Sequence, residues 1–179
     1  MPGSISTRRP MVIGLCFMLF GLQSCGGGGG GDAGGGGTNS GFSVDLTTRG
    51  NNSAQTSTFI FGNNIVFDIS VTSRSGGTQV LTLPTSQVYD LAVFTEGAQA
   101  PIWRWSFNRT FTPAATTLTF GSHQSINYLF IWDGVLEDGT QIMPGTYEVR
   151  GALAYPQYAN DWRGNDEFAS PFRKFTVTN

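Results

Sequence analysis

From Phe42 onward, apolar and polar residues alternate with a period of two. Ile65, Phe67, Ile69 and Val71 interleave with Val66, Asp68, Ser70 and Thr72. Ile126, Tyr128, Phe130 and Trp132 share one side of a second run, and Tyr147, Val149, Gly151 and Leu153 share one side of a third. Such alternation turns successive side chains to opposite faces of a strand, so one face can be buried. Segments 42–46, 79–83, 88–94, 102–107, 116–120 and 172–177 have the same character on a shorter scale. Turn-forming groups separate them: Gly62-Asn63-Asn64, Ser75-Gly76-Gly77, Gly121-Ser122, Glu137-Asp138-Gly139 and Pro144-Gly145. No window has the 3.6-residue period of an amphipathic helix. The pattern predicts an all-β fold, an antiparallel β-sandwich whose end loops are free for binding.

One stretch breaks the alternation. Residues 155–171 lie between two predicted strands and are longer than an ordinary connection. Long connections in compact domains are commonly functional or irregular. This one holds Tyr155, Tyr158, Trp162, Arg163 and Phe168, residue types enriched at the energetic centres of protein interfaces. Two readings follow: a loop that contacts a protein partner, or a loop folded back with its aromatics on its own sandwich. Trp103, Trp105 and Phe107 pose a similar choice. On one strand they would share a side, favouring the core over an exposed platform. Arg104 would alternate outward.

The first residues follow different rules. Arg8-Arg9 precedes an apolar run over residues 11–22, well short of the ~20 residues a spanning helix needs. That layout predicts a secretory signal over residues 1–24. It ends Leu22-Gln23-Ser24-Cys25, which resembles the bacterial lipobox. The resemblance implies that Cys25 is lipidated and becomes the mature N-terminus. Gly26 after it favours the outer over the inner membrane. Residues 25–41 then form a tether, with eleven Gly among residues 26–41. Such a segment cannot bury apolar surface, and its reach is about 20–25 Å at ~5–6 Å × √n. The domain expected beyond it is 42–179.

Composition narrows the classes of function. Charged residues are 12% of the chain and aromatics 13%, a balance that suits strands better than helices. Removing the leader with its two arginines takes the formal net charge from −2 to −4. The remaining basic residues form no stripe, so nucleic acid is not an expected partner. Both cysteines, Cys16 and Cys25, precede the domain. The domain is therefore expected to fold without disulfide, metal or cofactor. His123 is the sole histidine. Without a G-x-S-x-G elbow it supports no triad, and it cannot furnish a zinc site. The acidic turns at residues 133–139 and 161–167 lack EF-hand spacing. No catalytic constellation emerges, and an enzyme is not expected.

Three segments in order carry a family resemblance: Pro84-Thr85-Ser86-Gln87-Val88-Tyr89-Asp90-Leu91, then Ile102-Trp103-Arg104-Trp105-Ser106 with Phe111-Thr112, then Met143-Pro144-Gly145-Thr146-Tyr147-Glu148-Val149. Together they resemble the intracellular proteinase inhibitor (BsuPI-type) family over about residues 65–153. The resemblance implies an Ig-like β-sandwich and inhibition of a serine proteinase. It assigns no inhibitory residue, because the matched motifs look like framework. The expectation is thus a non-catalytic, lipid-anchored protein-binding module of the bacterial envelope. A serine proteinase is the specific partner implied. The alternative is an envelope scaffold that binds a partner without inhibiting it.

Overall fold

The computed structural model describes residues 41–155, 161–164 and 168–179. The predicted leader, Cys25 and most of the tether lie outside these residues. Ten strands follow in order: β1 (Phe42–Arg49), β2 (Thr58–Ile60), β3 (Ile65–Ser73), β4 (Gln79–Leu83), β5 (Tyr89–Thr95), β6 (Trp103–Arg104), β7 (Thr116–Phe120), β8 (Ser125–Trp132), β9 (Gly145–Leu153) and β10 (Arg173–Thr178). There is no helix among the described residues. The strands form one sheet in the order β1-β3-β8, a second in the order β2-β10-β9-β5-β6, and a separate β4-β7 pair. All pairings are antiparallel except β2 with β10. The fold is an Ig-like β-sandwich.

The alternation read from the sequence decides which faces meet. Phe42, Val44 and Leu46 of β1 and Ile65, Phe67, Ile69 and Val71 of β3 are buried. Leu91 and Val93 of β5, Tyr147, Val149 and Leu153 of β9, and Phe175 and Val177 of β10 face them in a single apolar cluster. Packing is close at Gly151, where a Cβ would sit 3.2 Å from Ile69 Cγ1 and the Ile69 side chain would have to give by a few tenths of an ångström.

One expectation is corrected. Segment 102–107 forms a strand only at Trp103–Arg104. Beyond it the chain turns, with Phe107 N–H donating to Arg104 C=O and Asn108 at φ 56°. Trp103 is accordingly buried against Trp132 (4.9 Å between ring centroids), whereas Trp105 is half-buried and Phe107 exposed. Trp103 and Trp105 both pack against Phe130, at 5.7 and 6.5 Å between ring centroids, and only Phe107 leaves that side. β2 was not foreseen, since its three residues are too few to show a period.

The outer face of the five-stranded sheet is covered too. Ala92, Phe94 and Ala152 form a second buried cluster with Trp162 and Ala169. Covered on both sides, β9 has no exposed residue after Thr146.

Candidate functional site

Trp162 lies across the outer face of the five-stranded sheet, edge-on to Phe94 at 6.4 Å, and is 4% exposed. Arg163 follows it. Its guanidinium packs 4.4 Å from the Phe172 ring centroid and 5.1 Å from that of Phe94. Its Nε donates to Ala98 C=O at 2.7 Å, and its Nη2 donates to Glu148 Oε2 at 2.6 Å. Tyr155 and Phe168 stack on each other at 4.5 Å, with rings 14° apart, beside the main core.

The backbone pins the same segment. Leu153 N–H donates to Phe168 C=O, and Ser170 N–H donates to Gly151 C=O. Residues 168–170 thus continue the line of β10 along β9. Arg150, 1% exposed, donates to the carbonyls of Ser170 and Trp162 and packs against the Phe172 ring. Of the two readings left open for this stretch, its described parts follow the folded-back one. Trp162 and Arg163 are anchors against the sheet, not groups turned outward. Tyr158 lies outside the described residues, as does Cys25.

The electrostatics of this face are paired. Burial would raise the Glu148 carboxyl. The hydrogen bonds from Arg163 and from Gly97 N–H outweigh it, with the charges of Arg163 and Lys174, and hold it below the usual glutamate range. Asp90, 3% exposed, accepts four hydrogen bonds: Arg104 Nη2 at 2.7 Å, Ser106 N–H at 3.0 Å, Ser106 Oγ at 2.6 Å and Leu91 N–H at 2.9 Å. This node joins the Tyr89-Asp90 motif to the Trp103–Ser106 motif. Tyr89 repeats the junction on the other face, 4.7 Å from Trp105 between ring centroids. In the third motif, Tyr147 donates its hydroxyl proton to Met143 C=O at 2.7 Å. All three motifs are therefore framework: they fix strand ends and loop departures.

The sequence reading missed the flank where the two sheets end. There β8 is an edge of its sheet and β6 an edge of the other. Between them lie half-buried rings: Tyr89, Trp105, Phe111, Tyr128 and Phe130. Tyr89 sits 5.1 Å from Tyr128, and Trp105 sits 5.7 Å from Phe111. Arg109 lies 4.4 Å over the Trp105 ring and is exposed. The signal was present in Leu129 and Ile131, which occupy the outward positions of β8 where polar residues were due. They are 60% and 62% exposed. Among the described residues, no cluster of three or more His, Cys, Asp or Glu side chains is gathered for a metal.

No curated protein matches the chain. Solved structures do. A β-glucosidase from Listeria innocua in complex with gluconolactone matches at 9% identity and a TM-score of 0.41, over 77% of this chain and 16% of the enzyme. The CARDB domain of a Pyrococcus furiosus protein matches at 11% and 0.38, over 76% and 95%. A Pseudomonas fluorescens alkylpurine DNA glycosylase matches at 12% and 0.40, over 78% and 31%. The chain thus spans a small part of the two enzymes, and none of these likenesses bears on its activity. The family comparison reaches further. The model for the intracellular proteinase inhibitor family matches residues 50–158, more than half of the chain and the whole run that holds the Asp90 node and the Tyr147 corner. The chain belongs to the intracellular proteinase inhibitor (BsuPI) family.

Proposed function

We propose that this protein is a membrane-anchored, non-catalytic protein-binding module that inhibits a serine proteinase. The observation that carries the reading is the family match over residues 50–158. The Leu22–Cys25 motif supports a lipid at Cys25, and Gly26 favours the outer membrane. The glycine tether would confine the domain to encounters near the membrane surface while letting it reorient. This setting differs from the family's name, which refers to an intracellular inhibitor.

The proposed contact region is the 155–171 segment. An inhibitory loop gains from pre-organisation, because each flexible side chain ordered on binding costs about 0.5–1.5 kcal/mol. Trp162 against Phe94, Arg163 on Glu148 and the Tyr155–Phe168 stack would supply that rigidity. Inhibition would then be occlusion, a pinned loop filling the partner's cleft. The inward placement of Trp162 and Arg163 also favours a second reading, an envelope scaffold that binds a partner without inhibiting it.

The two readings separate in one experiment. The purified protein is incubated with subtilisin-like and trypsin-like proteinases, and residual activity on a small chromogenic substrate is measured beside a pull-down from envelope extract. The inhibitor reading expects loss of activity. A captured partner with every proteinase fully active would leave the scaffold.

A further inference from the structure

β8 ends its sheet without a partner on its outer side, and its backbone orientation can be worked out. Ser73 N–H donates to Gln124 C=O, so Gln124 turns its carbonyl toward β3. Residues two apart on a strand point their backbone groups the same way. Ile126, Tyr128, Phe130 and Trp132 therefore bond β3, in the register Ile65↔Trp132 to Val71↔Ile126. The N–H and C=O groups of Asn127, Leu129 and Ile131 face outward. No strand among the described residues meets them.

Proteins commonly blunt an exposed edge with charge. The opposite edge of the same sheet does so: on β1, Asp45 pairs with Arg173 and Arg49 with Asp68. β8 carries no charged residue at all, in the sequence Ser-Ile-Asn-Tyr-Leu-Phe-Ile-Trp. One face of this edge exposes Leu129 and Ile131, and the other sets Tyr128 and Phe130 against the half-buried rings of Tyr89 and Trp105.

A cation stands beside it. The Arg109 guanidinium lies 4.4 Å from the Trp105 ring centroid and 6.0 Å from that of Phe130 on β8. Its one hydrogen bond runs from Nε to Trp105 C=O, and it has no carboxylate partner among the described residues. Stacking on an aromatic face holds the planar group in place and leaves its outer donors free.

We propose that this flank is a peptide-binding site, taking an extended, mainly apolar polypeptide segment that bears an acidic side chain. The segment adds as a strand to β8, with main-chain hydrogen bonds to Asn127, Leu129 and Ile131. Its carboxylate pairs with Arg109, which the uncharged edge otherwise leaves as the local charge. The site does not depend on the partner being a proteinase.

The test selects a phage-displayed library of random octapeptides on the full chain purified in detergent. Selected peptides should be enriched in Asp or Glu. Leu129→Pro removes an outward N–H that makes no bond to β3, so it should keep the fold and abolish binding. Arg109→Gln should weaken acidic peptides about tenfold, the loss expected for one charge-assisted hydrogen bond, and leave their Gln-substituted versions unchanged. A bound peptide should also slow amide exchange at Asn127, Leu129 and Ile131, a readout that survives if Leu129→Pro does not fold. No enrichment above background, no slowing at those amides, or equal binding to a folded Leu129→Pro would overturn the proposal. A wild-type dimer that becomes monomeric in Leu129→Pro would also overturn it, by assigning the edge to a second copy.

Discussion

Arg163 Nη2 donates to Glu148 Oε2 at 2.6 Å, tying the long segment before β10 to the outer face of β9. Both groups are mostly withdrawn from solvent, with side-chain exposures of 23% and 11%. Arg163→Ala would leave a buried carboxylate without its cation and should destabilise the fold by about 2–4 kcal/mol, measured by urea denaturation. A loss within ~0.5 kcal/mol would show that this face is not held by the pair.

The same pair sets a pH dependence. The folded carboxyl of Glu148 is held below its ordinary value, so its contribution to stability is fully present above the usual glutamate range. It is lost as pH falls through the lower folded value. The stability gap between wild type and Glu148→Gln should therefore be constant near neutrality and close on acidification. A gap that widens toward acid would reverse the sign of the argument.

Asp90 should matter more than its place on a short strand entry suggests. Asp90→Ala removes an acceptor of four hydrogen bonds and leaves Arg104 without its carboxylate. The expected loss is about 3–5 kcal/mol. Ser106→Ala, which removes one donor from the node, should cost about 1 kcal/mol. Thermal or urea unfolding of the two variants checks the ranking.

The aromatic residues after Pro101 should separate sharply. Trp103 packs on Trp132 and Phe130, and Trp103→Ala should cost about 3–5 kcal/mol. Phe107 is exposed within the turn, and Phe107→Ala should stay within about 0.5 kcal/mol. Comparable losses at both positions would contradict the turn at residues 105–108.

Cys25→Ser should move the protein from the membrane to the soluble fraction and abolish palmitate incorporation. Stable anchoring takes more than one acyl chain, so losing the modified thiol should release the domain. A mutant that stays with the membrane would remove the lipid from the account.

Much of the sandwich was legible because burial on one face leaves a period of two. Phe67, Ile69 and Val71 announce β3 in this way. Where that condition fails, so does the reading. β2 is too short to show a period, and β6 stops after Arg104 because Ser106 is drawn onto Asp90. The stretch around Trp162 lacks alternation because it lies over a sheet instead of within one. Its aromatics left two readings open, since burial against one's own sheet and against a partner select the same residue types. The open edge of β8 was visible in Leu129 and Ile131, but strand order decides which strand is an edge, and strand order is a long-range property. The Asp90–Arg104–Ser106 node gave no spacing signal either, because its members come from two strands and a turn.

Proteinase inhibition is tested by titrating a subtilisin-like proteinase with this protein in its soluble Cys25→Ser form and reading residual activity on a small substrate. Activity should fall in proportion to added protein and reach its floor near one equivalent, with the inhibitor chain intact on a denaturing gel. Full activity at a tenfold excess, across subtilisin-like and trypsin-like enzymes alike, would contradict it.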